Sequence, residues 1–200
     1  IGDHHFFISL DLRETTLSQH INQNNINFEE KFDSIVCSSG EEYIRPLHAS
    51  TIKGFADCSK TSLDVCIDIS CNMSKRKYLK EGSSIVFISS VSAKLASPGL
   101  GMYAATRAAI ISLGRTLASE LYSKGIRVNT ITAGAINTPM HERILSSMDG
   151  KSMVKYQKSH PLGFGEPSDV ASMVVFLLTD MSRWITATTI SVDGGYSSIK

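Results

Sequence analysis

ISSVSAKLASPGLGMYAATRAAIISLGRTLASELYSKGIRVNTITAGAINTPM, residues 88–140, decides the fold. It carries in succession the end of a buried strand, a Gly/Pro/Ser turn, a long helix, a second buried strand and a loop. The apolar run at 84–88 predicts the strand. Residues 101–122 predict the helix, with Ala104, Ala108, Ile111, Leu113, Leu117 and Leu121 as its inward face. Gly125 then ends it, 127–132 form the next strand, and 133–139 form the loop.

Downstream, 140–158 reads as a loosely composed, mobile helical segment. Residues 167–178 read as a helix with Ser168 as a candidate N-cap, and 188–192 as a last strand before Asp193, Gly194 and Gly195. Upstream, 6–10 and 34–37 read as buried strands, joined by a surface helix and an Asn-rich loop across 12–32. Residues 41–81 resist assignment. Strand and helix alternate, which implies an α/β fold with a parallel sheet. No repeat, low-complexity tract or linker divides residues 1–200, so one domain is expected.

Composition narrows the function. Two hundred residues with 42% hydrophobic content can bury one sizeable core. Twenty Lys and Arg against nineteen Asp and Glu leave a net charge of +1, too little to attract nucleic acid or an anionic membrane. A small-molecule partner is expected instead. The apolar runs fall well short of the roughly 20 residues of a membrane span, and the N-terminus lacks the pattern of a signal peptide, so the cytoplasm is the expected address. Cys37, Cys58, Cys66 and Cys71 show no zinc-site spacing and read as reduced thiols, with no metal site expected. His4 and His5 are neighbours on a strand and point to opposite faces, which suits surface residues better than a shared metal. His141 and His160 flank the loose segment, and Trp184 reads as a packing or interface anchor.

Tyr103 and Arg107 are four residues apart on the long helix, so their side chains share a face. A phenol ordinarily titrates near pH about 10, and a fixed cation beside it favours the phenolate. Tyr103 is therefore a candidate general acid/base, although the same spacing also suits a simple surface pair. Ser90 ends a buried strand, on the rim where open parallel sheets bind ligands.

The quoted stretch resembles the core of the short-chain dehydrogenase/reductase family, close to the 3-oxoacyl-carrier-protein reductase branch. The likeness lies in the Ser and Tyr thirteen residues apart, the RVN strand (Arg127, Val128, Asn129), and the loop AGAINT similar to PGxIxT. GEPSDVA and the VDGGY ending add to it. Upstream, Asp11 and Leu12 resemble the adenine-contacting DL pair, and CSSG at 37–40 stands where the family has NNAG.

The resemblance implies a Rossmann-like doubly wound parallel sheet and an NAD(P)-dependent oxidoreductase that interconverts a secondary alcohol and a ketone. Ser90 would orient the substrate, Tyr103 would exchange the proton, and Arg107 would take the place of the family's lysine. Asp11, Leu12, Ser38, Gly40, Arg107, Gly134, Ile136 and Thr138 would line the site of NAD or NADP, with Thr138 near the carboxamide. It also implies a homodimer or homotetramer, paired through the long helix and the last strand.

Three features depart from the family pattern. YAATR replaces YxxxK, and a guanidinium holds its proton permanently, so reduced turnover is expected. No asparagine stands near Thr61 or Ser62, where the family's catalytic asparagine is expected. No TGxxxGxG occurs, so the chain reads as N-terminally truncated by at least one βαβ unit of about 30 residues. That leaves a fragment of a longer enzyme, a gap filled by a partner chain, or a rebuilt sheet. The same departures motivate a second reading, a catalytically silent binding or assembly subunit.

Overall fold

Four runs rich in β-branched and aromatic residues pair into one sheet: β1 (Phe32–Cys37), β2 (Leu79–Ser90), β3 (Arg127–Ala133) and β4 (Thr189–Val192). The computed structural model describes residues 8–28, 30–75 and 77–199. All three strand pairs are parallel and the order is β1-β2-β3-β4. In the register, Cys37 lies opposite Phe87, Ser90 opposite Ala133, and Ala133 opposite Val192. The C-terminal ends of the four strands therefore share one rim.

Because neighbouring strand residues point to opposite faces, β2 divides its apolar side chains between two layers. Ile85 and Phe87 pack with Ile110, Leu117, Leu121 and Val128 beneath α1 (Leu17–Gln23), α3 (Leu63–Asp68) and α4 (Gly101–Leu121). Val86 packs with Ile131 and Leu177 beneath α7 (Pro167–Leu178), with Ile88 and Ile190 partly buried around them. Helices on both faces make the sheet doubly wound, the Rossmann-like α/β arrangement expected from the sequence.

The buried stripe of α4 runs Thr106, Arg107, Ile110, Ile111, Gly114, Leu117, Ala118 and Leu121. Ala108, expected inside, is exposed, because the helix is turned so that Gly114 faces the sheet. A Cβ at Gly114 would lie 2.7 Å from Thr130 Oγ1, so glycine permits this close approach. Gly125, with φ +68, ends the segment in the left-handed conformation.

Upstream, the expected helix across 12–32 is confined to α1, which Thr16 caps with a reciprocal bond from Gln19. Ile8 to Leu10 form no strand, and Phe6 and Phe7 lie outside the described residues, as do His4 and His5. The unassigned middle holds α2 (Ile52–Lys60), α3 and a π turn at Ile69–Met73. Asp68 in α3 is buried and accepts from the Ser18 amide at 2.9 Å, the Ser18 hydroxyl and Asn72 Nδ2 at 2.9 Å, which fastens α1 to α3.

After β3 come α5 (Pro139–Ser146) and α6 (Gly150–Lys158). Helix α7 is capped by Glu166 rather than Ser168, with Asp169 Oδ2 accepting the Glu166 amide at 2.7 Å. Among the described residues, β1 pairs only with β2. Ile8, Ile21, Phe28 and Ile35 border an apolar hollow of about 340 Å³ beside β1, and on the other face Val36 is 40% exposed. No helix among the described residues is long and apolar enough to cross a membrane.

Candidate active site

The rim gathers most of the side chains singled out from the sequence. Ser90 ends β2 and caps a short 3-10 turn, where its Oγ accepts the Ser92 amide at 3.2 Å and donates to Ser92 Oγ at 3.3 Å. Tyr103 stands in the first turn of α4, half-buried, and Arg107 one turn further in. The Arg107 guanidinium carbon lies 4.8 Å from the centre of the Tyr103 ring, so the cation rests on the aromatic face. The pair is not a surface pair: Arg107 is only 5% exposed.

Two contacts fix the backbone and head of Arg107. Ser89 Oγ donates to its carbonyl at 2.8 Å, and its Nη1 donates to the Ile88 carbonyl at 3.4 Å. Nε is buried without a partner, and among the described residues no carboxylate pairs with the guanidinium. The head lies against the loop that follows β1. A Cβ at Gly40 would come within 2.0 Å of Nη2, which gives this glycine a packing reason. Ser38 precedes it on the surface.

Gly134 follows β3, where its amide donates to the Val192 carbonyl at 3.0 Å and a Cβ would meet the Asp193 Cα at 2.8 Å. Ile136 bridges to Gly165, and Asn137 Nδ2 donates to Glu166 Oε1 at 2.6 Å. Thr138 caps α5, accepting the His141 amide at 3.3 Å and donating to the Ile136 carbonyl at 3.2 Å. Ser38, Gly40, Ser90, Tyr103, Arg107, Gly134, Ile136 and Thr138 thus occupy strand ends and connections on one side of the sheet.

Asp11 and Leu12 stand apart from them. Leu12 borders a hollow of about 160 Å³ with Thr16, Asp64 and Asp68. Asp11 holds Arg13 through a forked pair at 3.0 and 2.8 Å, which keeps its exposed carboxyl at about 2. Arg13 also reaches Glu41 at 3.9 Å, the link between this pair and the rim.

The Glu42–Arg143 pair lay outside the sequence reading, and His141, His160, Thr61 and Ser62 have surroundings that it did not give. Glu42 takes Arg143 in a forked pair, Nε to Oε1 at 2.6 Å and Nη2 to Oε2 at 2.9 Å, joining the loop after β1 to α5 and holding the Glu42 carboxyl below its ordinary range. His141 and His160, 4% and 5% exposed, sit in a box with Tyr156, Phe164 and Tyr196. Each keeps a buried Nε2 without a partner. Thr61 and Ser62 join α2 to α3, and Ser62 donates to the Cys58 carbonyl at 2.8 Å. Among the described residues, no three His, Cys, Asp or Glu side chains converge as a metal site requires.

A family profile described as Enoyl-(Acyl carrier protein) reductase matches residues 2–197. A tropinone reductase homolog of Arabidopsis thaliana is 34% identical over 171 residues, covering 85% of this chain and 63% of that protein. The 3-oxoacyl-(acyl-carrier-protein) reductase FabG of Thermotoga maritima is 38% identical over 117 residues, 58% of this chain and 46% of that one. The chain therefore spans less than two thirds of either relative. Among solved structures, a 4-hydroxyisoleucine dehydrogenase mutant complexed with NADH and succinate superposes with a TM-score of 0.83 at 27% identity. The match covers 96% of this chain and 79% of that one.

Proposed function

Since the chain belongs to the short-chain dehydrogenase/reductase family, we propose that it carries the catalytic rim of an NAD(P)-dependent oxidoreductase interconverting a secondary alcohol and a ketone. The observation behind this reading is the buried Arg107 guanidinium on the ring face of Tyr103, beside the strand end that bears Ser90.

Each group has a share in the chemistry. The Ser90 hydroxyl turns from Ser92 Oγ to donate to the substrate oxygen, while it continues to accept the Ser92 amide. The Tyr103 phenol gives its proton to that oxygen in reduction and takes it back in oxidation. Arg107, always charged, stabilises the phenolate left behind, but its guanidinium does not pass on a proton as an ammonium does.

The residues fit a dinucleotide at the rim, because the buried Arg107 Nε offers a donor with no partner and the β3–α5 connection ends in the Thr138 hydroxyl. Ser38, Gly40, Arg107, Gly134, Ile136 and Thr138 would hold its nicotinamide half, and Asp11 and Leu12 its adenine. Bound NAD or NADP supplies or accepts the hydride.

Tyr103→Phe in the full-length enzyme lowers carbonyl reduction by a factor of about 10² or more, measured from the consumption of NADH or NADPH. Retained turnover removes Tyr103 from its role. Titration calorimetry of the chain with NADH and NADPH separates this reading from a silent assembly subunit, since tight binding opposes the silent one. Trp184 is 92% exposed and Met181 80% exposed, which supports an interface rather than a packing role and hence a homodimer or homotetramer. The cytoplasm stays the expected location, on the sequence reading of the cysteines as reduced thiols.

A further inference from the structure

Cys37 and Cys66 are 29 positions apart in the chain, yet their sulfurs lie 3.4 Å apart. Both are buried, at 4% and 1% exposure. Cys37 closes β1 at the rim, just before the exposed Ser38, and Cys66 faces it from α3. The Arg107 charge acts on both thiols. A buried cation is costly without a compensating charge, and Arg107 has no carboxylate partner among the described residues. A thiolate is one anion its surroundings can offer, beside the phenolate of Tyr103.

We propose that Cys37 and Cys66 form a reversible, peroxide-sensitive dithiol in which Cys37 is the attacking thiolate and Cys66 the resolving thiol. The order follows from the environment. Cys37 ends β1 at the rim beside the exposed Ser38, has the Ser39 hydroxyl 3.8 Å away and the Cys66 sulfur at 3.4 Å, and lies within the field of Arg107, whereas Cys66 is enclosed on α3. The hydrogen bond shared with Cys66 and the Ser39 contacts favour a thiolate at Cys37, against the effect of burial. Cys66 is pushed up, first by the bond it shares with Cys37 and then by burial. One thiol is prepared to attack, and its neighbour keeps its proton until the second step.

The chemistry balances with hydrogen peroxide as the oxidant. The Cys37 sulfur attacks one peroxide oxygen; an S–O bond forms, the O–O bond breaks, and the departing hydroxide takes a proton to become water. The Cys66 sulfur then attacks the Cys37 sulfenic acid as it loses its own proton. The S–S bond forms, the S–O bond breaks, and the second hydroxide leaves with that proton as water. Two thiols are oxidised by two electrons, and one peroxide is reduced to two waters. The sulfurs must close from 3.4 Å to about 2.05 Å, and they already face one another. The bond withdraws the anion from Arg107 and ties the strand end before Ser38 to α3. None of this depends on the hydride-transfer reading.

The test uses the chain reduced with dithiothreitol, freed of it, and treated with stoichiometric hydrogen peroxide. The remaining thiols are capped with iodoacetamide in denaturant and the peptides mapped by mass spectrometry. The expected product is a Cys37–Cys66 cross-linked peptide lighter by two hydrogen atoms and restored by dithiothreitol, with Cys58 and Cys71 capped. In Cys66→Ser, dimedone is expected to label Cys37. Capping of both Cys37 and Cys66 after peroxide, or cross-links that run through Cys71 instead, overturns the proposal. The wild-type map decides the matter even if Cys66→Ser does not fold.

Discussion

The sheet core and the segment 139–165 above it are held in place by different chemistry. Beneath α4 the core is aliphatic and aromatic: Ile85, Phe87, Ile110 and Val128 are wholly inaccessible. In 139–165 the only buried side chains are His141 and His160. His160 stacks on Tyr196 with ring centres 4.2 Å apart, its Nδ1 donates to the Tyr156 carbonyl at 2.7 Å, and His141 meets the edge of Phe164 at 4.5 Å. Apart from the Cys37 and Cys66 thiols, this core offers little to protons or salt, whereas the segment depends on groups that respond to both. A fold can thus keep a rigid floor and a conditional roof joined to it at the rim through the β3–α5 connection and the Arg143–Glu42 pair.

The largest expected effect lies in the floor. Phe87→Ala removes a ring from between β2 and α4 and costs about 3–5 kcal/mol in denaturant unfolding. A cost below about 1 kcal/mol would mean that the core is not organised around it. Gly114→Ala forces a methyl against Thr130 Oγ1 and costs about 1–3 kcal/mol, read by the same measurement.

The roof yields to acid. Burial, and then the nearby His160, lower the His141 pKa below its ordinary 6.5. Its neutral form is favoured in the fold, so the stabilisation is complete above pH about 6.5 and is lost as pH falls through the lowered value. Amide exchange within 139–165 should quicken over that interval while that of β2 and β3 does not, and His141→Phe should flatten the dependence. The smallest effect is expected at the tie between the two regions. Arg143→Ala breaks the pair with Glu42, and, since Arg143 is more than half exposed, costs under about 1 kcal/mol and less in high salt. A larger, salt-independent loss would show that the roof leans on the loop after β1 more than on its own aromatic box.

Floor and roof also differ in how far the sequence discloses them. The strands β2 and β3 and the helix α4 declare themselves by periodicity, and Tyr103 and Arg107 pair beside the end of the strand that bears Ser90. Periodicity turns the inward face of α4 toward Ala108, which is exposed, because the decisive residue, Gly114, carries no side chain to register as apolar. The roof was legible only as loose composition, because imidazoles and phenols that build a core score as polar. The adjacency of Cys37 and Cys66, and the position of Gly40 against Arg107, are products of tertiary packing that no local spacing encodes. Asp11 and Leu12 were expected at a strand end, but their surroundings are set by Arg13 and α3.

Gly114 also serves as the fulcrum of a lever. Tyr103 lies eleven residues up the same helix, an arm of about 16 Å at 1.5 Å per residue. A tilt of only about 5° at the point of contact carries the phenol by about 1.4 Å, and a displacement of about 1 Å can cost a reacting group a hundredfold in rate. A hydrogen atom within α4 thereby sets the aim of a hydroxyl at its head.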